Sequence, residues 1–82
     1  MGKVSAPRRS QLLALGMAIR RLRGENGLSQ EQLSLEAGLH RNYIGRIERG
    51  ELSPTFEPLV EIARALDVGP DELLRIYLLE LS

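Results

Sequence analysis

Apolar residues recur at helical spacing in five separate stretches of this chain. The first stretch begins between Pro7 and Ser10 and ends near Asn26, where Gly27 follows. The other four cover approximately residues 29–37, 41–49, 55–66 and 71–81. The pattern therefore predicts an all-α domain of five helices.

Two of the predicted helices lie at the centre of the chain and are separated only by Gly38, Leu39 and His40. Ser29 suits the N-cap of the earlier helix, because its hydroxyl can accept a bond from an unpaired backbone N–H. Gly38 suits the residue just beyond that helix, because glycine accepts a positive φ. Two helices of about two turns joined this tightly cannot lie antiparallel and must cross steeply. The sequence thus predicts a helix-turn-helix.

The later helix of this pair has one apolar side, which carries Ile44 and Ile47. Arginine can bond guanine O6 and N7 together, and asparagine can do the same with adenine N6 and N7. Residues on the opposite, polar side could therefore bind DNA bases. They could equally form the solvated face that any amphipathic helix has, so both interpretations stay open at this point. The positions expected outside are Arg41, Asn42, Gly45, Arg46 and Arg49.

Length and composition exclude several classes of protein. Eighty-two residues make one small domain, with no cysteine and one histidine, so neither a disulfide framework nor a zinc site is possible. The N-terminus lacks the apolar segment of a secretion signal, and no apolar run approaches the ~18 residues of a membrane span. There is no nucleophile with a paired base and no phosphate-binding loop of P-loop spacing. We expect a cytoplasmic protein that is not an enzyme and has no cofactor, metal, membrane or small-molecule partner.

Charge is distributed unevenly along the chain, although the formal net charge is zero. Residues 1–50 carry nine Lys and Arg against four Glu, whereas residues 51–82 carry two Arg against seven Asp and Glu. A molecule polarised in this way can turn a basic face to phosphate and an acidic face away. The alternative is that these charges only keep the surface soluble. Since the basic half contains the predicted helix-turn-helix, we favour the first interpretation.

Three stretches together resemble the Xre/Cro/CI-type helix-turn-helix family of phage and bacterial repressors. GLSQEQLSLEAGL resembles the family's first helix and turn, RNYIGRIERG its recognition helix, and SPTFEPLVEIARALDV its fourth helix and exit. The resemblance covers roughly residues 16–74 without a gap. It implies a compact five-helix bundle of the phage-repressor DNA-binding domain type. Residues 10–82 would form this domain, and residues 1–9 a basic flexible arm that either touches DNA or is a solvated terminus.

The resemblance also implies roles for particular residues. It places Arg41, Asn42 and Arg46 at the base-contacting positions of the recognition helix, with double-stranded DNA as the partner. It further implies a structural salt bridge between Arg23 and Glu48. Around the recognition helix we expect contacts to DNA phosphates from Ser29, Gln30, His40, Tyr43 and Arg49.

Gly45 departs from common family sequences, since glycine inside a helix costs roughly 0.5–1 kcal/mol relative to alanine. Either the missing side chain lets the helix sit close to the groove, or a packing contact requires it.

The last predicted helix is too apolar for one buried stripe. Leu73, Leu74 and Tyr77 can close the core, and a large exposed apolar patch usually marks an interface. We therefore expect a homodimer, unless the leucines of the first helix (Leu12, Leu13 and Leu15) cover the last helix within one chain. The predicted interface consists of Ile76, Leu78, Leu79 and Leu81.

These expectations combine into one function: a sequence-specific transcriptional regulator that binds a palindromic operator as a homodimer. Within the family, a chain of this size with a dimerising fifth helix is most similar to the controller proteins of restriction–modification systems. Its place would be the nucleoid of the cytoplasm, and RNA polymerase is a further candidate partner. The alternative is an antitoxin-type or other interaction module whose apolar last helix binds a partner protein.

Overall fold

The computed structural model describes residues 8–82, and within that range the regular elements are all helices. This confirms the predicted all-α class. No helix of this described part is long and apolar enough to cross a membrane. The five helices are α1 (Arg8–Glu25), α2 (Gln30–Glu36), α3 (Tyr43–Glu48), α4 (Phe56–Ala65) and α5 (Pro70–Leu81).

One apolar core joins all five helices. Helix α1 packs against α5 and α3, while α2 packs against α3 and α4. The short helices α2 and α3 could not persist alone in water, because helices of this length are marginal without tertiary packing. Each is therefore held by the side chains that it buries. The largest fully buried apolar side chains are Ile19, Leu33, Ile44, Ile47, Ile62, Leu66 and Leu73.

Reciprocal capping starts α2 at the expected residue. The Ser29 hydroxyl accepts a bond from the Gln32 backbone N–H at 3.0 Å, and the Ser29 N–H donates to Gln32 Oε1 at 2.8 Å. This is a capping box, which satisfies two backbone donors together. After α2, Gly38 has a φ of 74°, the left-handed conformation that glycine adopts without a steric penalty. The capping box and the glycine at position 38 together account for the turn of the predicted helix-turn-helix.

Ser34 fixes the angle between α2 and α3. Its hydroxyl donates to the Gln30 carbonyl at 2.9 Å and accepts from the Ile44 backbone N–H at 3.1 Å. The second bond satisfies an N–H at the start of α3, where no intrahelical carbonyl is available. A buried polar side chain with both bonds made orients its two helices, and an apolar residue here would leave the Ile44 N–H without this partner.

Two predicted boundaries are corrected by the structure, and a third is kept without its expected side-chain bond. Helix α1 already begins at Arg8, so Arg8 and Arg9 belong to a helix rather than to an arm. Lys3 and the rest of residues 1–7 lie outside the described residues. Helix α3 begins only at Tyr43, which leaves Arg41 and Asn42 in the turn before it. The Thr55 backbone takes the N-cap position of α4, but its side chain makes no capping bond.

The packing of α1 on α5 differs from the expectation. Leu12, Leu13 and Leu15 are half-buried rather than fully buried, and the tightest part of α1 is instead formed by small residues such as Ala14 and Ala18. In α5, Leu74 is exposed although it was expected in the core. Ile76 packs against the core although it was expected to be exposed in the dimer interface.

Helix α1 crosses α3 at Gly16, where the two backbones meet. A methyl group on Gly16 would lie 2.6 Å from the Ile47 carbonyl oxygen and 2.8 Å from Glu48 Cα. Both atoms belong to backbone, which cannot move aside as the end of a side chain can. We expect Gly16→Ala to lower the free energy of unfolding by ~1–3 kcal/mol, since overpacking pushes α1 away from α3. Denaturant unfolding followed by circular dichroism measures this change.

Gly24 provides the matched control on the same helix, because a methyl group there would meet nothing within 4 Å. Gly24→Ala should stabilise the domain by roughly 0.5–1 kcal/mol through helix propensity alone. Equal effects of the two substitutions would contradict the close approach at Gly16.

Candidate nucleic-acid interface

A polar groove runs along the outer side of the helix-turn-helix, between the start of α2 and α3. It brings together the three residues expected to read bases and two of those expected to contact phosphate. Arg41, Asn42 and Arg46 are exposed, so their polar groups are available to a ligand. The groove is lined by Gln30, Glu31, Arg41, Asn42, Gly45, Arg46, Arg49 and Glu51. His40 and Tyr43 line an adjoining hollow together with Asn42 and Arg46.

An ion pair between Arg23 of α1 and Glu48 of α3 supports the groove from behind. Arg23 Nε donates to Glu48 Oε2 at 2.7 Å, and Arg23 Nη2 donates to Glu48 Oε1 at 3.0 Å. The side chains are only 17% and 5% exposed, respectively. The bond to Glu48 raises the pKa of Arg23, so that guanidinium remains charged. A two-pronged pair with this little water fixes both orientation and distance between the helices.

The same carboxylate also holds Gln30 at the start of α2. Gln30 Nε2 donates to Glu48 Oε1 at 2.9 Å, and Arg23 Nη1 donates to the Leu28 carbonyl at 3.0 Å. Three helices and the loop before α2 are thus tied through Glu48 and Arg23. Because one amide N–H of Gln30 is bound to Glu48, the other is the one that could reach a phosphate.

Gly45 lines the outer groove as expected, but neighbouring side chains cover it there. A methyl group there would lie 2.9 Å from Gln30 Oε1 and 3.1 Å from Arg49 Nη1. The ends of two long side chains therefore occupy the space that any larger residue would need. The glycine lets Gln30 and Arg49 fold across α3 within the groove, and a larger residue would require these two flexible ends to shift.

Some polar groups of the other predicted site residues already make local hydrogen bonds. The Ser29 hydroxyl serves the cap of α2, and His40 Nδ1 accepts from the Asn42 backbone N–H at 3.2 Å. The Tyr43 ring packs against the core. Ser29 can still donate its hydroxyl proton and His40 can still use Nε2. Each of these side chains keeps one polar group that can bind a ligand.

Two carboxylates at the rim of the groove were not among the predicted site residues. Glu51 accepts from Arg49 Nε at 2.9 Å and from Arg49 Nη2 at 3.4 Å. Glu31 Oε1 lies 4.0 Å from Arg41 Nη2. The bond from Arg49, with the fields of Arg49, Arg46 and Arg9, lowers the pKa of Glu51. A sequence signal existed for Glu51, which stands two residues after Arg49 where the chain turns at Gly50.

Two short crossed helices with an arginine-lined groove on their outer side define a helix-turn-helix DNA-binding domain. The family model described as helix-turn-helix matches residues 19–73. The chain belongs to this family of transcriptional regulators, which are not enzymes.

Restriction–modification controllers are among its relatives. The chain is 46% identical over 56 residues to the control protein C.SmaI of Serratia marcescens. This match covers 68% of this chain and 67% of that protein. It is 42% identical to the controller protein C.AhdI of Aeromonas hydrophila, whose crystal structure matches with a TM-score of 0.73 over 76% of this chain and 94% of the other.

A third relative has been crystallised with DNA. The controller protein C.Esp1396I, as a tetramer with its natural 35 base-pair operator, is 30% identical and matches with a TM-score of 0.78. The match covers 87% of this chain and 93% of that one.

Proposed function

We propose that this chain binds a palindromic operator as a homodimer and controls transcription by occupying it. The observation that carries the proposal is the placement of Arg41, Asn42 and Arg46 around one open groove that runs along the outer side of α3. These side chains offer the donors and acceptors that distinguish base pairs in the major groove. In a two-fold dimer, two such ends enter successive major grooves about 34 Å apart.

Phosphate contacts would set the register of this docking. Gln30 and Arg49 line the groove with the base-reading residues, His40 and Tyr43 line the adjoining hollow, and Ser29 precedes Gln30 at the start of α2. Contacts of this kind position a protein on the duplex without reading sequence. Residues 10–82 would then be the DNA-binding unit, with α5 as its dimerisation helix.

The dimer itself is supported by the outer face of α5. Leu74, Leu78 and Leu79 are 43%, 58% and 62% exposed, although leucine favours burial. Leu81 beside them is half-buried. A two-fold axis lets this same apolar face cover itself in a second copy. Leu74 therefore replaces Ile76 in the interface that we propose.

Leu78→Glu tests the dimer, because two buried carboxylates would face each other across the axis. We expect the variant to sediment as a monomer at concentrations where the unaltered protein sediments as a dimer. Leu35→Glu, an equally drastic change at a side chain 59% exposed on α2, is the control that should keep the dimeric mass. An unchanged mass for Leu78→Glu would remove α5 from the interface.

The operator is tested by selecting bound duplexes from a random pool at two salt concentrations. We expect an enriched palindrome whose half-sites lie one helical turn apart, and the preference should survive at the higher salt. Binding without any enriched sequence would instead favour the interaction-module function, for which the exposed leucines of α5 offer a surface.

The finer role that we infer is that of a controller-type regulator acting at the nucleoid in the cytoplasm. A dimer bound at a promoter either blocks RNA polymerase or recruits it, depending on where the operator lies. Polymerase recruitment would show as a ternary complex in a gel-shift experiment on the selected operator.

A further inference from the structure

Arg49 differs from Arg41, whose nearest carboxylate lies 4.0 Å away, because it makes two hydrogen bonds to a carboxylate. Its guanidinium presents Nε and Nη2 to the two carboxylate oxygens of Glu51, at 2.9 and 3.4 Å. The third nitrogen, Nη1, lies over Gly45 and would be 3.1 Å from a methyl group there. Arg49 is thus folded back along α3, with one edge held by Glu51 and its far nitrogen over the glycine.

This pair does little for the fold. The Arg49 and Glu51 side chains are 55% and 48% exposed, and exposed pairs contribute little to stability. What joins Glu51 to the end of α3 is its backbone N–H, which donates to the Arg46 carbonyl at 2.9 Å and would remain after a side-chain change. Stability therefore does not explain why a carboxylate is present at position 51.

A carboxylate at the rim of a phosphate-binding surface competes with phosphate. The ionised Glu51 offers Arg49 the same two-oxygen geometry that a phosphate would offer. The nearby charges of Arg46 and Arg9 help keep it ionised, because they lower the pKa of Glu51 further. Any DNA phosphate that reaches for Arg49 must therefore displace Glu51 or bind without that cation.

We propose that Glu51 is an intramolecular competitor of DNA phosphate for Arg49, and that it limits binding to non-operator DNA. The inference rests on the proposed function, since it concerns the same groove. Non-specific binding comes essentially from phosphate neutralisation and grows with the number of cations engaged. Occupying one cation of a groove that has three arginines lowers this sequence-independent attraction.

The test compares Glu51→Gln with the unaltered protein, using a mixed-sequence duplex of 30 base pairs as the probe. Fluorescence anisotropy over a series of salt concentrations measures both affinity and salt dependence. We expect Glu51→Gln to bind this duplex about two- to fivefold more tightly. The slope of log affinity against log salt should steepen by about 0.9, the value for one added phosphate contact on B-DNA.

Glu61→Gln is the matched control, because it removes the same charge from an equally exposed pair. Glu61 accepts from Arg64 Nε at 2.7 Å on α4, and neither residue lines the groove. This control should leave affinity and slope near those of the unaltered protein. If Glu61→Gln raises affinity as much as Glu51→Gln, only net charge matters and the proposal is overturned.

A second pair of variants tests whether Glu51 acts on DNA binding through Arg49. In an Arg49→Gln background, adding Glu51→Gln should change the affinity little, because the competed cation is already gone. A full gain in that background would mean that Glu51 repels DNA directly, and the proposal would fail. If none of these proteins binds the duplex at low salt, the proposed function fails as well. If they bind but Glu51→Gln has no effect, this inference alone fails.

Discussion

Arg23→Ala is expected to destabilise the domain more than any other single change considered for the ion pairs. Removing the guanidinium leaves the carboxylate of Glu48, which is 5% exposed, without its charged partner. Breaking a pair this well buried costs ~3–5 kcal/mol, because the remaining charge is desolvated. For a domain of this size that corresponds to a fall in Tm of about 12–40 °C, measurable by thermal unfolding.

The control for Arg23→Ala is Arg21→Ala, two residues earlier on the same helix. Arg21 Nε lies 3.6 Å from Glu25 Oε2 and Arg21 Nη1 lies 4.0 Å from Glu80 Oε2 of α5, while the Arg21 side chain itself is 53% exposed. An exposed pair of this kind contributes ~0.2–1 kcal/mol, so the Tm should fall by only a few degrees. Similar losses for the two variants would show that the Arg23–Glu48 pair is not the brace of α1 against α3.

The second large effect is expected in DNA binding by the double variant Arg41→Ala, Arg46→Ala. Each lost two-pronged contact to a base costs ~1–3 kcal/mol of discrimination and relaxes the preference at its base pair. The two losses should nearly abolish the preference for the selected operator over a scrambled duplex, while the Tm changes little because both side chains are exposed. Titrations of operator and scrambled duplex at one salt concentration give this ratio.

A charge-matched double variant separates base reading from general attraction. Arg64→Ala with Arg75→Ala removes two exposed arginines from the acidic half of the chain, away from the groove. It should retain the preference for the operator. Retention of that preference by Arg41→Ala, Arg46→Ala would refute the assignment of these residues to base contacts.

Local signals explain how much of the fold could be predicted. The capping pattern at Ser29 and the glycine at position 38 are short-range devices that act through backbone geometry alone. Helical spacing of apolar residues then indicated which side of each helix is buried, and Leu33, Ile44 and Ile47 are buried as expected. Such signals depend on residues within a few positions, so one sequence contains them.

The misplaced residues share a different property, which is dependence on a second helix. Leu74 is exposed and Ile76 is packed, although periodicity on α5 admits both assignments. Which of the two is buried depends on how α5 packs against α1 and α4. Gly45 faces the groove as its helix position predicts, but the ends of Gln30 and Arg49 cover it.

By itself, the sequence determined the all-α class, the position of the helix-turn-helix and the arginines that could face DNA, because periodicity, caps and charge are local or additive. Only the tertiary structure decided which groups are free to act. It adds Gln30 to the Arg23–Glu48 pair that the family resemblance implied, sets the backbone of α3 against Gly16, and pairs Arg49 with Glu51 at the rim of the groove. The first two depend on distances between residues far apart in the chain, and the third on the direction in which the chain leaves α3. Spacing along a single sequence does not encode those distances and directions, and they follow only when the core has packed.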